Sequence, residues 1–140
     1  MIEVRHSASL SFTPAFALIV EGWNELVQAG ATPDGVAHAP FGASTEALYA
    51  EREDGEIVGV LVFDRHARRQ LEIALAYVEP TSRKQGVFAE LFAALKEKAK
   101  YDRVARIVCA VHAEDPAMQA VMARLGGQVA ALTYETVIDG

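Results

Sequence analysis

The run Arg83-Lys84-Gln85-Gly86-Val87-Phe88 carries the residue types that hold a phosphorylated ligand. An apolar strand pattern enters it through Tyr77-Val78-Glu79-Pro80, and a long amphipathic helix pattern leaves it. At such a junction the N–H groups of the first helical turn are free. The helix dipole favours negative charge there, and glycine lets the backbone approach closely. Arg83 and Lys84 would oppose the dipole as a bare pair at a helix start, so their position fits an anion between them and the helix. The alternative is an ordinary pair of exposed loop charges. The chain therefore reads as binding a phosphorylated ligand through residues 83–88.

No histidine pair or carboxylate cluster has metal-ligand spacing, so no metal is expected. The single cysteine, Cys109, sits in an apolar run and cannot form an intramolecular disulfide, which fits a reducing compartment. The charge balance, 13 basic against 19 acidic residues, argues against nucleic acid or an anionic membrane surface as partner. Arg65-His66-Ala67-Arg68-Arg69 is one possible local basic patch. The N-terminus lacks the apolar core of a signal peptide, and no apolar run is long enough to span a bilayer, so a soluble cytoplasmic protein is expected. His38 and His66 fall in turn segments.

The elements that must position the junction are legible as periods. At 140 residues the chain is expected to form one domain, 1–140, with a core that needs no staple. Residues 2–5 suit a first strand. Thr13-Pro14 suits a helix N-cap and first position, with Phe16, Ile19, Val20, Trp23, Leu26 and Val27 inward and Gly30 as the stop. Residues 31–44 read as a loop. Strands follow at 46–53 and 57–63 around the hairpin signal Asp54-Gly55, then at 71–78. A helix is expected at 83–100, a central strand at 104–111, a helix at 116–125 ended by Gly126-Gly127, and a last strand at 129–138. That order implies an α/β (α+β) fold: a mixed, mostly antiparallel central sheet with helices on both faces.

With the late Asp115-Pro116-Ala117-Met118 and Leu125-Gly126-Gly127, these residues resemble the GCN5-related N-acetyltransferase (GNAT) family. Its pyrophosphate loop is written Gln/Arg-x-x-Gly-x-Gly/Ala. Arg83 and Gly86 match, while Phe88 stands where a small residue is usual. The chain is also similar to acetyltransferase-like proteins encoded by phages. The resemblance implies the acyl-CoA N-acyltransferase fold and acetyl-CoA as cosubstrate. Backbone around Tyr77 and Val78 would pair with the pantetheine arm. The N–H groups of Arg83, Lys84, Gln85, Gly86, Val87 and Phe88 would hold the pyrophosphate, and Asp115 aligns with the family's asparagine in the late helix.

For chemistry, the resemblance points to Glu72. Some members carry a general-base glutamate at that offset, eleven residues before Arg83. The plain alternative is a solvent-facing strand residue. Its face, read by alternation, carries Ala74, Ala76 and Val78. Tyr77 is expected under the sheet beside Leu75 and Ile73. His112 follows the expected fifth strand near the acceptor position and could act as base, or could be a strand-end histidine bonded to backbone. Met122 aligns with the family's tyrosine that protonates the leaving thiolate, and methionine has no proton to give. Two readings follow. One is transfer of an acetyl group from acetyl-CoA to a primary amine of unspecified acceptor. The other is a catalytically degenerate domain that binds CoA or a partner, or serves a structural role. A homodimer through the last strand is a reasonable default.

Overall fold

The computed structural model describes residues 2–30, 41–66, 69–109 and 116–127. In chain order these form β1 (Ile2–Ser7), α1 (Phe16–Gln28), β2 (Glu46–Arg52), β3 (Ile57–His66), β4 (Gln70–Val78), α2 (Val87–Tyr101), β5 (Arg106–Cys109) and α3 (Pro116–Arg124). The strands lie side by side in sequence order, antiparallel except for the parallel pair β4–β5. This is the expected mixed sheet. The expected last strand, His38 and most of the 31–44 loop lie outside the described residues, as do the side chain of His66 and residues 110–111 of the expected 104–111 strand; residues 104 and 105 precede β5 without being part of it.

Among the described residues, α1 packs on one face of the sheet and α2 on the other. Ala47 and Tyr49 of β2, Val60 and Val62 of β3, and Leu75 and Tyr77 of β4 pack with Ala15, Leu18 and Ile19 at α1. Leu48, Ala50, Leu61, Phe63, Leu71 and Ile73 pack on the other face against Val87, Leu91, Phe92 and Leu95 of α2. Neighbours along β2 thus go to opposite cores, as a strand's alternation requires. Met122 of α3 and Leu125 just after it join the α2-side core, half-buried.

Two irregularities in pairing decide what the strands present. Between β2 and β3 the register passes from Ala50↔Gly59 to Glu51↔Ile57, leaving Val58 as the extra residue. Between β3 and β4 it passes from Val62↔Leu75 to Phe63↔Ile73, leaving Ala74 extra. A bulge reverses which residues face which side beyond it. Hence Ile73 belongs to the α2 core but Leu75 and Tyr77 to the α1 core, while Ala76 and Val78 pack toward α2. The face expected to run through Glu72, Ala74, Ala76 and Val78 is therefore split at Ala74. The expected grouping of Tyr77 with Ile73 fails for the same reason.

Glycine sets how close the helices come. A Cβ on Gly22 of α1 would lie 2.7 Å from Tyr77 Cβ, and one on Gly59 of β3 would lie 2.6 Å from Val87 Cγ1. Neither helix could sit at its present height over the sheet with a larger residue there. α1 starts at Phe16 behind the N-cap Ala15, not behind Thr13. The Thr13 hydroxyl instead accepts the Ala15 N–H at 3.4 Å and bonds Ser7 Oγ at 2.9 Å. Because the buried face of α1 is Leu18, Ile19, Gly22 and Trp23, the residues Phe16 and Val20 are exposed rather than inward.

At the far end of the sheet a buried carboxylate ties three strands together. Glu46 (7% exposed) accepts from His6 at 2.7 Å and from Arg65, whose other arm reaches Asp102 after α2 at 2.9 Å. The Glu46 hydrogen bond raises the Arg65 pKa above its ordinary value. Arg65 is thus committed to structure, and Arg69 donates to the Arg103 carbonyl at 2.9 Å. These two members of the expected basic patch are not a free cationic surface.

Candidate active site

The junction after β4 is built in three steps. Pro80 opens a single 3-10 turn, Pro80–Ser82, in which the Ser82 N–H reaches the Glu79 carbonyl at 2.9 Å. Arg83 then returns to extended backbone, and Lys84 enters the left-handed region at φ 63. Gly86, at φ 82 and ψ 10, is the N-cap of α2. A non-glycine residue in the left-handed region costs about 1–2 kcal/mol. Lys84 bears that cost because α2 must turn back over the sheet immediately after β4. The same two left-handed residues explain why the helix begins at Val87 rather than at residue 83.

This geometry fits a diphosphate. No side chain caps α2, so the N–H groups of its first turn have no side-chain acceptor at the N-cap. A Cβ on Gly86 would meet nothing within 4 Å, so the loop has open space in front of its glycine. Successive N–H groups in such turns form an anion-binding concavity. Lys84 and Gln85 are exposed at its rim. The side chains of Val87 and Phe88 turn away from the loop. Val87 is buried over Gly59, and the Phe88 ring turns away to stack on Phe92 at 6.1 Å against the core. Phe88 can be large because its side chain is not at the loop.

Arg83 is engaged on the α1 side. Its Nε donates to the Val78 carbonyl at 2.9 Å, its Nη2 lies 3.3 Å from Glu25, and its guanidinium sits 5.4 Å from the centre of the Tyr77 ring. The strand-edge carbonyl expected to meet a pantetheine arm is thus held by Arg83. The Tyr77 hydroxyl lies 3.0 Å from both Glu21 and Glu25. One phenol proton is shared between two carboxylates.

Glu72 is half-buried, opposite Asp64 on β3 and Val108 on β5. Among the described residues, β4–β5 pairing ends one position later, at Ile73↔Cys109, beside the extra residue Ala74. Glu72 is thus paired on both sides, within the sheet. Met122 is half-buried against the α2 core. His112 and Asp115 lie outside the described residues.

Three residues at the site had no role in the sequence reading: Arg52, Glu21 and Glu25. The two glutamates stand at i and i+4 on α1 around Gly22, a spacing that puts them on one helix edge, but nothing local points them at Tyr77. Arg52 follows no motif, since its partners lie 30 and 33 residues away.

The profile of the Acetyltransferase (GNAT) family matches residues 15–127. The chain belongs to that family. No curated protein sequence matches it. Among solved structures it is similar to the ribosomal-protein-alanine N-acetyltransferase from Brucella melitensis biovar Abortus 2308, at 18% identity and TM-score 0.72 over 99% of this chain and 100% of that one. It is similar to AAC(6')-Iy, solved with the bisubstrate analogue CoA-S-monomethyl-acetylneamine, at 15% identity and TM-score 0.64 over 100% and 99%. An aminoglycoside acetyltransferase from an uncultured soil metagenomic sample, in complex with sisomicin, matches at 13% identity and TM-score 0.71 over 99% and 97%. At these identities the likeness is one of fold. Among the described residues, no helix is long and apolar enough to cross a membrane, and no cluster of three metal-ligand side chains occurs.

Burial first, then Glu25 and Glu21, push the Tyr77 phenol well above its ordinary value of 10.0. The folded state thus favours the neutral phenol. The stability this adds is present below the unfolded phenol's pKa and is lost as pH rises through the folded value. Comparing phenolate absorbance of wild type and Tyr77→Phe isolates this residue's step, which is expected well above the ordinary phenol range. A Tyr77 step at the ordinary value would contradict the arrangement.

Proposed function

We propose that the chain transfers an acetyl group from acetyl-CoA to a primary amine. The observation that carries this reading is the uncapped start of α2 behind a loop with left-handed Lys84 and Gly86 and open space at the glycine. Acetyl-CoA supplies the activated acyl group as a thioester. The N–H groups of residues 84–88 hold its diphosphate, and Lys84 adds positive charge at the rim. Val78 offers the strand edge once Arg83 releases its carbonyl. Glu72, half-buried in β4 opposite Asp64 of β3 and Val108 of β5, takes the proton of the incoming amine and passes it to water. The thiolate leaves without an acid from Met122, since a free thiol has a pKa near 8.5.

Charge and the similar structures support an amine acceptor. A net charge of −6 steers cationic amines toward the protein. The similar structures include enzymes named for a ribosomal protein's alanine and for aminoglycosides, both amine-bearing acceptors. The second reading, a CoA-binding or structural module without turnover, is favoured by one observation: the residue aligned with the family's acid is a methionine packed in the core.

Calorimetric titration with acetyl-CoA tests the first step. Saturable binding is expected in the wild type and its loss in Gly86→Glu, which puts a side chain and a negative charge into the loop. Affinity that survives in the variant would remove the loop from the site. The chemistry is tested separately. Glu72→Gln is expected to lower turnover by about 10²-fold or more, in the range of a lost general base, while acetyl-CoA affinity changes little. Unchanged turnover would exclude Glu72 as the base.

A further inference from the structure

We propose that Arg52, at the end of β2, is a positioning residue for the cofactor loop. The inference deepens the acetyl-CoA reading and rests on it for its ligand. The backbone of Arg52 is fixed on both sides of the hairpin. Its N–H donates to the Glu56 carbonyl at 2.8 Å, and its carbonyl accepts the Gly55 N–H at 2.9 Å. From that base the side chain crosses to the loop after β4. Nη2 donates to Ser82 Oγ at 2.7 Å and to Gln85 Oε1 at 3.3 Å. Gln85 in turn donates to the Thr81 carbonyl at 3.4 Å. Ser82 is 1% exposed, so the stronger of the two bonds is shielded from water. The two contacts flank Lys84, the strained residue of the loop.

The guanidinium is held there at a cost. Arg52 Nε is buried and has no hydrogen-bond partner. An arginine free to swing into water would satisfy that donor. Arg52 stays because its other arm secures the loop. On the opposite side Arg83 fastens the same loop to Val78 and Glu25. The loop is thus held between two arginines, one from the hairpin and one of its own.

Charge adds to position. Among the described residues, Arg52 is the one cation lining a cavity of about 510 Å³ whose other walls include Glu53, Asp54 and Glu90. Without it, three carboxylates would remain beside a loop meant to receive an anion, and their field would oppose the ligand.

Amide hydrogen exchange in the ligand-free protein, paired with acetyl-CoA titration, tests the assignment. In Arg52→Ala, exchange at residues 82–86 is expected to accelerate and the acetyl-CoA dissociation constant to rise about tenfold, the loss typical of one charge-assisted hydrogen bond. Arg52→Lys keeps the charge but not the fork and is expected to fall between. Ser82→Ala leaves the arginine in place and is expected to shift both readings in the same direction by less, so it serves if Arg52→Ala does not fold. Unchanged exchange at 82–86 in Arg52→Ala would overturn the proposal. So would faster exchange with unchanged acetyl-CoA affinity. Faster exchange in a protein whose wild type binds no acetyl-CoA would support Arg52 as the loop's fastening and refute the acetyl-CoA reading instead.

Discussion

Val87 rests on Gly59, and the position of α2 follows from that contact. A Cβ at Gly59 would stand 2.6 Å from Val87 Cγ1, so the first residue of the helix comes as near to β3 as the backbone allows. β4 ends at Val78, and only eight residues separate it from Val87. The chain must rise from the sheet edge, turn and descend onto Gly59 within that span. A 3-10 turn and two left-handed residues accomplish it. A helix start with no side-chain cap is the by-product, and the proposed diphosphate site depends on it.

The two faces of the sheet contribute unequally to this junction. On the α2 side the packing is apolar, and Phe88 joins it instead of obstructing the loop. On the α1 side the packing ends in a polar cluster. Gly22 lets α1 lie directly over Tyr77, which brings Glu21 and Glu25 to the phenol and Glu25 to Arg83. The helix that borders the far side of β4 is thereby linked to the loop through one arginine. Release of Arg83 from Val78 would alter both. The exposed ion pair itself adds little stability; its importance is that it fixes where the guanidinium sits.

Much of this was readable in the residues. The order of elements, the hairpin at Asp54-Gly55, the glycine stop at Gly126 and the strand–loop–helix junction all depend on local preferences, and local preferences are written locally. What could not be read depends on contacts across the sheet. The extra residue Ala74 breaks an alternation that looks continuous in Gln70–Val78, and so moves Glu72 and Val78 to different faces. Helical spacing puts Phe16 and Val20 in the inward stripe of α1, yet both are exposed. The true stripe passes through Gly22, whose value lies in having no side chain opposite Tyr77. The helix expected from residue 83 starts later, because Lys84 and Gly86 are left-handed and cannot begin an α-helix. Arg52 acts 30 residues from its partner and leaves no trace in spacing.

The central claim is that backbone N–H groups at the start of α2 bind the diphosphate of acetyl-CoA. Amide chemical shifts of the isotope-labelled protein test it directly, with acetyl-CoA compared against S-acetylpantetheine, which lacks the diphosphate. Saturable shifts confined largely to the amides of residues 84–88 with acetyl-CoA, and absent there with the fragment, are the predicted result. Binding of acetyl-CoA that leaves those amides unmoved would contradict the account.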